Sequence, residues 1–325
     1  MITFNRVPAV ANSQGDLTTF QSKYRWMTHS VDICVCTFRR AHIEQTLLSL
    51  EALLRLPDWT CRIIVVDNDD TDSAREIVTK TAAAMSLPVT YIHAPGRNIS
   101  IARNTCLEAA TATFVAFVDD DELVTPTWLG AMLTAMESSD ADVVLGPVES
   151  VYDSNAPRWM RDSQVHGSMP SWIGGEIKSG YSSNVMFCRT AKPITGQRFL
   201  TELGRSGGED TVFFSTIYNA GGKIIFAPNA LTTEIVPPNR AHLSYVMGKS
   251  FQQGEAYVFL LAKHGSRINK LKSMTLAIVK SFICIGVAMP LFGMDRSRLW
   301  LLRGTFHVGV VARLLGKKGG ANYGV

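Results

Sequence analysis

The apolar run Phe-Val-Ala-Phe-Val at 114–118 delivers four consecutive acids, Asp119, Asp120, Asp121 and Glu122. Clustered carboxylates repel one another and call for a cation. At the carboxyl end of a strand in an open α/β sheet, such hard oxygen ligands suit Mg2+ or Mn2+ bridging a diphosphate. The plainer reading is a solvated acidic turn ahead of a helix opened by Thr125-Pro126. A second acidic set, Asp67-Asn68-Asp69-Asp70, follows Ile-Ile-Val-Val at 63–66, and Asp67 there could accept hydrogen bonds from a base or ribose. The third is Gly207-Gly208-Glu209-Asp210, where a glycine turn running into a helix would hold a carboxylate at the mouth of a site, as a general base or as a helix cap. Basic groups stand where an anionic donor would need them: Arg39 and Arg40 after the first apolar run, and Arg97 and Arg103 in the segment 96–104. Arginine pairs phosphate in a bidentate way. On the acceptor side, Trp159 and Trp172 offer ring faces that suit sugars, although core or loop packing explains them equally. His242 is a candidate for a further metal contact, against the commoner structural role of a lone histidine.

These groups need a frame that brings distant segments together. Apolar, β-branched runs at 31–37, 62–67, 89–93 and 113–119 each precede a helix-periodic stretch, near 42–55, 73–85, 99–110 and 128–138. That alternation predicts an α/β fold, a mostly parallel central sheet with helices on both faces, which puts the acids at one sheet edge. Residues 143–152, 183–189 and 223–227 read as later strands, with a helix near 210–220 between the last two.

With 325 residues, 46% hydrophobic and 18% charged, the chain can bury a large core, which excludes disorder, collagen and a disulfide mini-protein. Its net charge of +4 is unevenly placed: from Lys263 onward there are eleven Lys/Arg and one acid, a net of +10, leaving −6 for the first 262 residues. An acidic body with a basic, apolar tail points to an anionic membrane surface and away from nucleic acid. The run 274–293 is apolar apart from Lys280, 273–290 approaches span length and 299–315 repeats the theme, but Pro290 interrupts the first and Arg303 and Arg313 mark the second. A helical pair lying in the cytoplasmic leaflet is therefore expected, ahead of a buried hairpin or a two-pass span. The six cysteines lack zinc or disulfide spacing and read as reduced core residues, a cytosolic sign. The expected divisions are a loose N-terminal extension over 1–30, with Met27 a candidate start, a catalytic body over 31–262 and a membrane-associating helical region over 263–325. The opening residues show no signal-peptide pattern.

The order and spacing of 31–37 followed by Phe-Arg-Arg, Val-Val-Asp67-Asn, Gly-Arg-Asn-Ile-Ser-Ile-Ala-Arg103-Asn, Phe-Val-Asp-Asp-Asp121 and Gly-Gly-Glu-Asp210 resemble glycosyltransferase family 2, and within it the bacterial exopolysaccharide branch with the succinoglycan glucosyltransferases. The resemblance covers residues 31–236. It implies a GT-A fold, a UDP-sugar donor such as UDP-glucose, Mg2+ or Mn2+, and inversion at the anomeric carbon. It places Thr37, Arg39 and Arg103 beside the nucleotide, Asp67 on the uracil or ribose, Asp119 on the ribose, Asp120 at the donor, Asp121 on the metal and Asp210 as the base. The processive members' Gln-x-x-Arg-Trp motif is replaced here by Phe-Gln-Gln-Gly-Glu-Ala-Tyr at 251–257, so one sugar per acceptor is expected. The basic tail then implies a lipid-linked oligosaccharide acceptor at the cytoplasmic face of the membrane. Two other readings are a sugar nucleotidyltransferase, disfavoured because Thr-Phe-Arg-Arg-Ala-His at 37–42 lacks a phosphate-loop glycine, and a catalytically silent sugar-nucleotide-binding protein.

Overall fold

Runs of β-branched residues apolar on both faces make strands that must be covered on both sides, and this decides the centre of the molecule. A computed structural model describes residues 30–56, 59–262, 267–291, 293–317, 320 and 323. In chain order the elements begin β1 (Ser30–Thr37), α1 (Ile43–Glu51), β2 (Thr60–Asp67), α2 (Arg75–Ala82), β3 (Val89–His93), α3 (Ile99–Ala109), β4 (Phe114–Asp119), β5 (Glu122–Val124) and α4 (Trp128–Ser139). There follow β6 (Val143–Leu145), β7 (Val148–Tyr152), α5 (Arg158–Ser163), β8 (Trp172–Ile173), β9 (Glu176–Ile177), β10 (Asn184–Cys188), α6 (Glu209–Asn219), β11 (Ile224–Phe226) and β12 (Thr232–Val236). The chain then turns helical, with α7 (Leu243–Ala262), α8 (Arg267–Ala288) and α9 (Asp295–Leu314). The expected extension, apart from Ser30, and Met27 lie outside the described residues.

The central sheet runs β11-β6-β10-β4-β1-β2-β3 and is parallel except for β10, which is antiparallel to both its neighbours. Alternate residues face opposite sides. Ile33, Val35, Ile63 and Val65 pack under Leu47, Leu50, Val78, Trp128 and Met132 of α1, α2 and α4. Cys34, Cys36, Ile64 and Val66 pack on the other face with Ala102 and Cys106 of α3 and Phe213, Phe214 and Ile217 of α6. All six cysteines are free thiols, five of them buried, as their spacing predicts.

The register levels the strand ends that matter: Thr37 pairs with Asp67, and Cys36 with Asp119. A second sheet, β5-β12-β7, continues beyond β4 and sets Glu234 opposite Glu122. Here the structure corrects the sequence reading, since 143–152 is two strands in different sheets. Pro147 has no N–H to donate, and a Cβ on Gly146 would stand 2.2 Å from the Ala230 carbonyl oxygen, so the chain turns there.

The helical region is packed backbone to backbone. A Cβ on Gly254 would lie 1.9 Å from the Phe306 carbonyl oxygen and one on Gly309 2.0 Å from that of Phe251, so glycine alone allows α7 and α9 to approach so closely. α7, the last helix before the expected boundary at 262/263, packs on both α6 and α9, so the segments on either side of that boundary are in contact. Helix α8 turns Ala277, Ser281, Cys284 and Ala288 inward and leaves Leu276, Val279, Phe282, Ile283 and Ile285 exposed, Phe282 by 72%. Among the described helices, α8 alone is long and apolar enough to cross a bilayer.

Candidate active site

The β4–β5 junction holds the acids in an alternating pattern. Asp120 and Glu122 turn inward: Asp120 accepts a 2.7 Å hydrogen bond from the Thr37 hydroxyl, and Glu122 accepts one of the same length from Thr232. Thr46 also donates to the Asp120 carbonyl, tying α1 to the turn. Burial pushes Asp120 up to about 7 and raises Glu122 well above its ordinary range, with the charge of Asp119 adding to the latter. Asp119 and Asp121 turn the other way, with side chains 40% and 15% exposed. Arg40 ion-pairs with Asp121 and stands 3.5 Å from Asp120, while Arg240 reaches Asp121 at 3.6 Å.

At the end of β2, Asp67 is fully buried and accepts from the backbone of Asp69 and Ala74 and from the Tyr91 hydroxyl, at 3.0, 2.8 and 2.8 Å. It therefore braces the loop that leads into α2, and its carboxylate faces no open space. Arg39, in the left-handed region at φ 55°, lays its guanidinium over Phe38 and donates to Asp69 at 2.9 Å. That hydrogen bond holds Asp69 down at about 2. Arg97 pairs with Asp70 at 2.7 Å on the same rim.

Arg103 comes from α3, whose start is fixed by Asn98, its side chain accepting from the amides of Ser100 and Ile101. The guanidinium is buried, 2.5 Å from Glu209 and 3.8 Å from Asp119, and its central carbon lies over the Phe199 ring. Gly207 and Gly208, at φ 90° and 93°, make the turn that opens α6. A Cβ on Gly208 would stand 2.8 Å from that of Ala256 on α7, so glycine lets α6 and α7 come this close. Asp210, one residue into the helix, accepts from the Thr211 amide at 2.6 Å. Burial pushes it up to about 6, the charge of Glu209 adds to this and Arg103 opposes it. Asp119 and Asp210 lie close enough for each to raise the cost of ionising the other. The strand ends and the start of α6 thus converge through Arg103.

The profile described as Glycosyl transferase family 2 matches residues 32–193. The chain is also 41% identical over 298 residues to the succinoglycan biosynthesis protein ExoM of Rhizobium meliloti, covering 91% of this chain and 96% of that one. The chain belongs to glycosyltransferase family 2. A further relative is the glucosyl-dolichyl phosphate glucuronosyltransferase of Haloferax volcanii, 24% identical over 243 residues, 69% of this chain and 75% of that one. Among solved structures, the mannosyltransferase PcManGT from Pyrobaculum calidifontis, in complex with GDP-Man and Mn2+, aligns with a TM-score of 0.60 at 19% identity. That alignment covers 89% of this chain and 88% of that one. S. aureus TarS 1–349 aligns with a TM-score of 0.51 at 18% identity over 89% and 92%. The fold is GT-A.

In this family 2 glycosyltransferase the carboxyls of Asp119, Asp121, Glu209, Asp210 and Glu234 outnumber the guanidiniums of Arg40, Arg103 and Arg240 that pair with them. The excess of hard oxygen donors fits a divalent cation on the outward acids. Among the described residues no three His, Cys, Asp or Glu side chains converge on one point, so such a cation would complete its shell with water and the donor's phosphates. His242 is exposed and shares its Nδ1 with the Ser244 hydroxyl and the Tyr245 amide at the start of α7.

The two tryptophans diverge. Trp159 is buried with Met160 and Val246, with Arg298 over its ring, whereas Trp172 is exposed at the β8–β9 hairpin, edge-on to Phe226. Sequence reading missed Glu234 and Arg240. Glu234 lies in the alternating run Thr-Thr-Glu-Ile-Val of β12, a strand signal at the right spacing after β11, and Arg240 follows the turn that Pro237-Pro238 imposes.

Proposed function

We propose that this enzyme transfers a single hexose, with inversion, from a UDP-sugar such as UDP-glucose to a lipid-linked oligosaccharide during exopolysaccharide biosynthesis, working at the cytoplasmic face of the membrane. The observation that carries the reading is the convergence of outward-facing Asp119, with Asp121 beside it, and Asp210 on buried Arg103. A donor lying along the strand ends would meet Arg39 and the Asp119–Asp121 pair, with Thr37 beneath them holding Asp120. Asp121, with Asp119, would hold the divalent cation, which when bound offsets charge on the departing diphosphate. Asp210 accepts the acceptor hydroxyl's proton as that oxygen attacks the anomeric carbon from the face opposite the diphosphate, giving a β-linkage from an α-linked donor. Its pKa, pushed up to about 6, leaves it ionised at neutral pH yet more basic than an ordinary carboxylate. Glu209 is engaged with Arg103 and so positions this end of the site.

The kinship with a succinoglycan biosynthesis protein supports the pathway, and the Mn2+ named with PcManGT supports the cation. The exposed apolar stripe of α8, with Lys272 and Lys280 on the same helix, supports attachment to an anionic leaflet. The test is to incubate membranes containing the protein with radiolabelled UDP-sugars, Mn2+ or Mg2+ and lipid-linked acceptors. Transfer by the native protein that is abolished by chelator, and reduced about a hundredfold or more by Asp210→Asn, is expected. Undiminished transfer by Asp210→Asn would remove the assigned base.

A further inference from the structure

Arg240 stands on the loop between β12 and α7, and its Nη1 reaches Glu234 at 3.2 Å and Asp121 at 3.6 Å. Both distances exceed the 2.7–2.9 Å of a well-made charge-assisted bond, so the guanidinium neutralises two carboxylates without being locked to either. Arg40, by contrast, is bound tightly to Asp121 and also faces Asp120.

The backbone beneath Arg240 is, however, firmly held. Its carbonyl lies 3.0 Å from Nε2 of His166, a buried ring. A carbonyl can only accept, so Nε2 carries the proton and Nδ1 is bare, which makes the Tyr152 hydroxyl, 2.9 Å away, its donor. Burial, with Lys249 nearby, lowers this histidine to about 4 and keeps it neutral. The His166 ring also stacks on Tyr245, at 5.8 Å and 21°. A rigid base under a loosely paired, 25% exposed guanidinium is the arrangement of a side chain built to change partners.

We propose that Arg240 is an exchanging counter-cation: without donor it neutralises Asp121 and Glu234, and when a divalent cation takes Asp121 its planar fork turns to the donor's diphosphate. His166 is a positioning residue in this scheme, acting through the Arg240 carbonyl. The inference rests on the donor reading above. It predicts opposite effects on two ligands, which loss of a merely structural residue would not give.

The full chain, Arg240→Gln and Arg240→Lys are titrated with Mn2+ alone, read by electron paramagnetic resonance, and with UDP at saturating Mn2+, read by calorimetry. Arg240→Gln is expected to bind Mn2+ alone about fivefold more tightly, having lost one competing charge. It is expected to bind UDP about tenfold or more weakly, having lost a charge-assisted fork, with Arg240→Lys recovering part of that loss. His166→Phe should weaken UDP in the same direction, and His166→Gln, whose amide can still donate to the Arg240 carbonyl, should restore it. Arg240→Gln that melts like the native chain and leaves either affinity unchanged overturns the proposal alone. A native chain that binds Mn2+ but no nucleoside diphosphate overturns the donor reading with it.

Discussion

Replacing Arg103 by leucine tests whether the site is held together as described. The guanidinium and the Glu209 carboxylate are each about 8% exposed and 2.5 Å apart, and the second oxygen of Glu209 already lacks a hydrogen-bond partner. Arg103→Leu strands that carboxylate in the protein interior, and uncompensated buried charges of this kind cost about 3–5 kcal/mol. Loss of the guanidinium from beside Phe199, 5.6 Å from the ring centroid, adds roughly 0.5–1 kcal/mol. At about 2 cal/mol/K of unfolding entropy per residue, each kcal/mol shifts a 325-residue chain by about 1.5 °C, so Tm should fall by about 5–9 °C. The double variant Arg103→Leu/Glu209→Leu removes both charges and should regain most of that loss, because two apolar side chains no longer need each other. Thermal melts and urea titrations of both single variants and the double variant form a cycle whose interaction energy is the pair's coupling. The reasoning is refuted if Arg103→Leu costs less than about 1 kcal/mol, or if the double variant is no more stable than the single.

Three further outcomes follow from the same geometry. If Asp210 is the base, as proposed, it must be ionised to accept a proton, and with its pKa raised to about 6, kcat/KM should fall about tenfold per pH unit below 6 and level off above it; a profile breaking near 4 would contradict the proposed base or its environment. A Cβ on Gly309 would meet the Phe251 carbonyl oxygen at 2.0 Å, so Gly309→Val should cost about 1–3 kcal/mol by parting α7 from α9 while UDP affinity, measured by calorimetry, stays within twofold. Finally, Phe282→Asp/Ile283→Asp should reduce cosedimentation with anionic vesicles at least tenfold, since each removed side chain takes away about 1.5–3 kcal/mol of apolar transfer; equal sedimentation would place the membrane contact elsewhere.

The sequence by itself determined the scaffold, because strands covered on both faces must be apolar throughout and their crossover helices must show a 3.6-residue period. The runs ending at Thr37, Asp67 and Asp119 meet both conditions, and register then has to bring their carboxyl ends level. The glycine pair before Glu209 was equally legible, since only glycine turns there without strain. What the sequence could not decide is which polar groups face each other. Four adjacent acids look alike in a string, but strand alternation followed by the packing of α1 and β12 turns Asp120 and Glu122 inward and Asp119 and Asp121 outward. Nor does the string show that the Asp67 oxygens accept from Asp69, Ala74 and Tyr91. The pairing of Arg240 with Asp121 spans 119 positions along the chain and depends on a second sheet whose strands are only three to five residues long. Local preferences say little about such short strands, and long-range ion pairs leave no periodic trace. The tertiary structure alone decides them, because burial and opposing charge are properties of a place in space and not of a residue type.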